Sequence, residues 1–125
     1  MGLIKEFRCS SCCKTWKIFT GHGKNHGILN QVLGAFPSDM KKEIIADIKG
    51  DLEPLFLFNY QTAVCHQCQS LSSVPVLRFL ETEQSYMGKC PLCGGEAKIL
   101  EDDSHILCPQ CQKESLSVQE VGHWD

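Results

Sequence analysis

The sequence has no apolar run long enough to cross a bilayer, which excludes a helical membrane span and leaves a membrane partner unexpected. Its first residues, Met1-Gly2-Leu3-Ile4-Lys5-Glu6-Phe7-Arg8, lack the apolar stretch and small-residue cleavage site of a signal peptide. Gly2 does not make a myristoylation signal, because Glu6 stands where Ser or Thr is needed. The expected compartment is therefore the cytoplasm, where thiols stay reduced. Low-complexity segments are absent. So are two phosphate signatures: no Gly-Lys-Ser/Thr closes a P-loop, and no strand–turn–helix with a later ribose-binding acid marks a dinucleotide site.

Basic charge is also in short supply. The formal charge is −3, which argues against non-specific polyanion binding by the whole chain. The distribution is uneven. Residues 1–42 carry seven basic side chains against two acidic ones, a net of +5. Residues 43–125 carry five against thirteen, a net of −8. A local basic surface near the N-terminus remains open.

Cysteine is what the chain has in excess: nine in 125 residues. A chain this short buries a modest fraction of its surface, so these cysteines belong to the stability argument. Eight fall in Cys-x-x-Cys pairs, Cys9/Cys12, Cys65/Cys68, Cys90/Cys93 and Cys108/Cys111, with Cys13 left over. In a reducing compartment such pairs bind metal rather than form disulfides. Each pair places two sulfurs on one side of a tight knuckle, and two facing knuckles complete a tetrahedron around Zn²⁺. Gly94 follows Cys93, where a knuckle calls for positive φ. Pro91 and Pro109 fix φ within their knuckles.

The spacing favours sequential grouping. Cys90, Cys93, Cys108 and Cys111 would share one zinc, since fourteen residues between those pairs suit one hairpin. Cys9, Cys12, Cys65 and Cys68 would share the other across a long loop, which is tolerable because loop closure grows slowly with length. Crossed groupings stay open. Two filled sites would take the formal charge to −7, each four-thiolate zinc adding −2. Iron is the rival metal, because thiolate tetrahedra accept either ion.

Cys90-Pro-Leu-Cys-Gly-Gly with Cys108-Pro-Gln-Cys resembles the rubredoxin-like zinc ribbon. The layout of the chain is similar to that of uncharacterised bacterial proteins with two zinc ribbons. The resemblance implies structural zinc and short antiparallel strands. It implies no single activity, since ribbons serve transcription, ribosome and enzyme-accessory proteins alike. Cys13 occupies the place of the usual glycine in the first knuckle.

The expected fold is a small, metal-stabilised α+β protein of two ribbon units, residues 1–82 and 83–125, with a helical insert at about 20–50 in the first. Lys14 to Phe19 reads as a strand with Trp16 and Ile18 on one face. Ile28, Leu29, Val32, Leu33 and Phe36 recur at helical spacing, and Pro37 closes that helix. Ser38 is the expected cap of a second helix with Met40, Ile44, Ile45 and Ile48 on its apolar face and Gly50 at its end. Leu55 to Val64 and Val74 to Leu80 read as a hairpin.

Other candidate chemistry is thin. Gly21 to Gly27 is a glycine-rich loop carrying His22, Lys24 and His26, which could join an anion site ahead of a helix; solvated side chains on a flexible loop are the plainer reading. Lys14, Trp16, Lys17 and Phe19 form a basic–aromatic stripe of the kind that stacks on single-stranded bases, against the plainer reading that Trp16 and Ile18 are core. His66 is an exposed turn residue. Trp124 either packs on the second ribbon or is free for a partner. A catalytic zinc needs an open coordination position, which four thiolates do not leave. No nucleophile–base pair is visible, and no small-molecule substrate is evident. The expected function is a non-enzymatic binding or adaptor module for protein or nucleic acid. The alternative is a redox-sensing or metal-handling protein with labile zinc–thiolate sites, favoured by Cys13 beside Cys12.

Overall fold

The computed structural model describes residues 2–23, 29–48, 54–100, 106–113 and 115–124. Lys24, His26 and Gly50 lie outside the described residues. The elements run β1 (Gly2–Arg8), β2 (Thr15–Gly21), α1 (Leu29–Leu33), α2 (Ser38–Ile48), β3 (Phe56–Cys65), β4 (Ser70–Phe79), β5 (Ser85–Met87), β6 (Lys98–Ile99) and β7 (Ser117–Trp124). All pairings are antiparallel, in the order β5-β4-β3-β2-β1-β7 with β6 added to β3. The fold is thus mostly antiparallel strand with few helices.

Strand alternation sets the first core. In β2, Trp16 and Ile18 turn inward while Thr15, Lys17 and Phe19 turn out. They meet Phe7 of β1, Val64 of β3, Leu71 of β4, Ile106 and Leu116. Val64 is one residue from Ala63, which points to the opposite face and joins Cys65, Val74, Cys90 and Ala97 in a second cluster. The base of the β3–β4 hairpin therefore carries a core on each face.

Ten cross-strand pairs hold that hairpin, from Phe56↔Phe79 to Cys65↔Ser70. Its distal end presents Phe58, Leu77 and Phe79, and the two helices cover them with Val32, Leu33, Phe36 and Ile44. Burying Ile44 fully contributes about 1.5–3 kcal/mol towards docking a helix too short to be stable alone. Two helical expectations shift. The Lys41 N–H donates to the Pro37 carbonyl at 2.8 Å, so Pro37 occupies the cap position and Ser38 begins the helix. Ile45 is 51% exposed, because one residue beyond Ile44 the helix has turned about 100° away from the sheet.

The ends of the chain meet in one sheet. β7 pairs with β1 from Gly2↔Trp124 to Arg8↔Ser117, with a bulge between Ile4 and Lys5. Residue 82 lies between β4 and β5, which are hydrogen-bonded neighbours. Trp124 does not lie on the 90–111 knuckles. It packs against Phe19 and Tyr60, with ring centroids 6.1 and 6.0 Å away, and its Nε1–H donates to the Thr20 carbonyl at 3.1 Å. Gly2 makes this possible, since a Cβ there would overlap the indole. No described helix is long and apolar enough to cross a membrane.

Candidate metal centres

Each cysteine pair sits in a tight turn closed by its own backbone. In the first, between β1 and β2, the Cys9 N–H donates to the Lys14 carbonyl and the Cys13 N–H to the Cys9 carbonyl, both at 3.0 Å. The third repeats the pattern: Cys90 N–H to Gly95 at 2.9 Å, Gly94 N–H to Cys90 at 2.8 Å. In the fourth the Gln112 N–H reaches the Cys108 carbonyl at 2.9 Å, below the Leu107↔Ser115 bridge. The second knuckle is the turn of the β3–β4 hairpin.

The residue after the second cysteine has positive φ in all four knuckles: Cys13 at 61°, Gln69 at 55°, Gly94 at 72° and Gln112 at 57°. The glycine seen at position 94 is therefore one instance of a requirement that three non-glycine residues meet under strain. The sequence shows the position at Gly94, and at Cys13, which stands in the place of the usual glycine. Counting one residue past every Cys-x-x-Cys would have found Gln69 and Gln112.

Among the described residues, two groups of four cysteines are placed to hold a metal ion: Cys9, Cys12, Cys108 and Cys111, and Cys65, Cys68, Cys90 and Cys93. The sequential grouping is thereby overturned. The first and last knuckles share one centre, and the two middle knuckles share the other. The cause is strand pairing. The β1–β7 ladder carries the fourth knuckle to the first, while β6, paired to β3 through Ala63↔Ile99 and Val64↔Lys98, keeps the third knuckle against the second. Among the described residues Lys98 and Ile99 pair with β3, and Leu107 bridges Ser115.

The sulfur geometry fits a tetrahedral thiophilic ion. Within each group the ligand atoms lie within 4.8 Å of one another. The closest contacts are Cys9–Cys111 at 3.5 Å, Cys12–Cys108 at 3.7 Å, Cys65–Cys93 at 3.5 Å and Cys68–Cys90 at 3.6 Å. Zinc–sulfur bonds of about 2.3 Å imply tetrahedral edges of about 3.8 Å. Disulfide sulfurs would lie about 2.05 Å apart, and all nine cysteines are free.

The protonation pattern also asks for a cation. The Cys68 backbone N–H leads in pulling the Cys65 thiol down to about 7, and the Lys113 N–H does the same for Cys111, also to about 7. Their neighbours move the other way. Cys12 rises to about 12 although the Lys14 N–H pulls it down, because desolvation of its sulfur within the cluster and the thiols of Cys9, Cys108 and Cys111 outweigh it. Cys93 rises to about 12 against the pull of the Gly95 N–H, driven by Cys65, desolvation of its sulfur within the cluster, and Cys90. Four crowded thiols cannot all ionise without a compensating charge, and a divalent ion supplies it. Further support comes from the Gly95 N–H to Cys93 Sγ at 3.4 Å and from Ser70 Oγ, 3.0 Å from Cys68 Sγ. Cys9, Cys65, Cys90 and Cys108, the first member of each pair, are buried, whereas Cys12 and Cys93 are exposed.

The remaining candidates separate. Trp16 is only 9% exposed and belongs to the core, so it cannot take part in a surface stripe with the exposed Lys14 and Lys17. His22 and His66 are exposed. Cys13 lies beside the outer cluster without joining it.

Comparison with protein-family models, with curated proteins and with solved structures found no match.

Proposed function

We propose that the protein is a non-enzymatic zinc-binding module, with one structural Zn²⁺ in each four-cysteine cluster and a surface that binds a macromolecular partner. The observation that carries this reading is the pair of four-thiol clusters at near-tetrahedral spacing. Cys9, Cys12, Cys108 and Cys111 would hold one ion and Cys65, Cys68, Cys90 and Cys93 the other, each supplying charge neutralisation and a rigid cross-link. Four thiolates close the coordination sphere, which favours a structural over a catalytic role. The thiolate donor set suits zinc and iron alike. Absence of colour and about two zinc per chain by elemental analysis are the expected results. Fewer than one metal of any kind in a folded sample would overturn the reading.

A second reading, redox-linked metal release, is favoured by the exposed Cys13 next to the exposed Cys12. There, two thiolates pass two electrons to a peroxide with uptake of two protons, a disulfide forms, two waters leave and the ion is freed. Zinc release by stoichiometric peroxide, slowed in Cys13→Ser, supports it; release unaffected by that substitution counts against it.

A further inference from the structure

We propose that the outer face of the β7–β1–β2 sheet binds single-stranded nucleic acid, with Phe19 as the stacking platform and Lys17 and Arg8 meeting the phosphates. The inference names the partner for the binding module proposed above and rests on that reading.

The strand registers lay this face out in rows. Arg8 lies beside Thr15 and Ser117, Glu6 beside Lys17 and Gln119, Ile4 beside Phe19 and Gly122, and Gly2 beside Gly21 and Trp124. The alternation that buries Phe7, Trp16 and Ile18 turns these rows outward. Phe19 is 50% exposed, a large cost for a side chain with core available one residue away. Trp124, half-buried and held from behind by Tyr60, lies next to it. Gly2, Gly21 and Gly122 place no side chain around the two rings, which are tilted 50° to each other. The stripe that the sequence offers is thus rebuilt: Trp16 leaves for the core, and Trp124 from the other end of the chain takes its place.

Along these rows Lys17 lies one step from Phe19 and Arg8 two. Lys17 is two residues from Phe19 on the same face, about 7 Å along the strand. Arg8 is the diagonal neighbour of Lys17, about 7–8 Å away. Both are exposed, although Glu6 draws on Arg8 at 3.4 Å. The outward rows carry Arg8 and Lys17 against Glu6, a net of +1 in a chain whose formal charge is −3. An unpaired base can stack on a ring lying in a sheet, whereas a duplex hides its base faces and offers grooves, which a flat face does not enter.

The test is fluorescence anisotropy of a labelled oligothymidine of about 12 nucleotides with the metal-loaded full chain. Binding should weaken with salt with a log–log slope of about −1.4, the value for two phosphate contacts on a single strand. Phe19→Ala should weaken binding about tenfold, the scale of one lost base stack, and Phe19→Tyr should restore it. Arg8→Glu with Lys17→Glu should abolish the salt dependence, and Leu57→Ala, on the other hairpin, should change nothing. No anisotropy change at low salt, equal binding by Phe19→Ala, or equal binding of the corresponding duplex would overturn the proposal. So would displacement by polyglutamate at matched charge, which would leave attraction without stacking. Metal content measured on the same samples keeps the two claims apart. Two ions per chain with no oligonucleotide bound removes this surface and leaves the metal scaffold standing; a folded chain without metal removes the scaffold itself.

Discussion

Stripping the metal and returning a single equivalent of zinc should fill the two centres unequally. The inner cluster brings together Cys68 and Cys90, 22 residues apart, and the outer one Cys12 and Cys108, 96 residues apart. From an unfolded chain the difference in loop-closure entropy is about 1.3 kcal/mol, or roughly tenfold, in favour of the inner site. Structural zinc is worth ~10–16 kcal/mol of apparent binding energy, so metal-free chain should be largely unfolded and this starting point is the relevant one. Pulsed alkylation followed by peptide mass spectrometry reads the outcome. At one equivalent, Cys65, Cys68, Cys90 and Cys93 should be protected about tenfold over Cys9, Cys12, Cys108 and Cys111. Cys13 is labelled in either case and serves as the internal reference. Closing the inner site shortens the remaining path, so the second equivalent should follow readily. Equal protection of all eight cysteines, or prior protection of the outer four, would refute the topological argument.

The left-handed knuckle position predicts substitutions of opposite sign. Gly94→Ala should cost about 1 kcal/mol from φ strain alone, because an added Cβ there meets nothing within 4 Å. Gln112→Gly should be neutral or gain up to about 1 kcal/mol; thermal melts with metal content unchanged check both. Acid should favour metal loss, since each ligand must shed its proton. Equilibrium dialysis showing metal retention independent of pH would exclude thiolate ligation. Gly2→Ala should displace the Trp124 indole, costing about 1–3 kcal/mol with a red shift of tryptophan emission while both metals stay bound. An unshifted spectrum would show that Trp124 is not seated as described.

The eight clustered cysteines were legible because a knuckle is local: four residues fix two sulfurs, and the sequence displays all four knuckles. The grouping was not, because it depends on which turns face each other. Loop length alone prefers the short 93-to-108 closure, and only the β1–β7 ladder and the addition of β6 to β3 override it. Strand β2 was legible through its period of two and the hairpin through its aliphatic runs. The exposure of Ile45 was not, since a helix of mixed composition offers several apolar stripes and only the position of the sheet selects one. Trp124 is the same case at longer range. No local pattern relates it to Phe19, yet the pairing of the chain's two ends sets them 6.1 Å apart.

Nesting also makes the two centres mechanically dependent. Val64 packs in the core that contains Cys9 and Cys108, while its neighbours Ala63 and Cys65 face the inner centre. Leu71 and Ser70 repeat this alternation on β4, Leu71 facing the outer core and Ser70 reaching Cys68. A shift of the β3–β4 base that relaxes one centre must therefore move the apolar floor of the other, because successive side chains of one strand cannot be displaced independently. The inner cluster holds the hairpin against which the outer cluster closes, and the outer cluster clasps β1 to β7. That clasp forms the face bearing Phe19, Lys17 and Trp124. The proposed binding by that face would thus be tied to the outer centre through β1, and to the inner centre only by way of the hairpin beneath it.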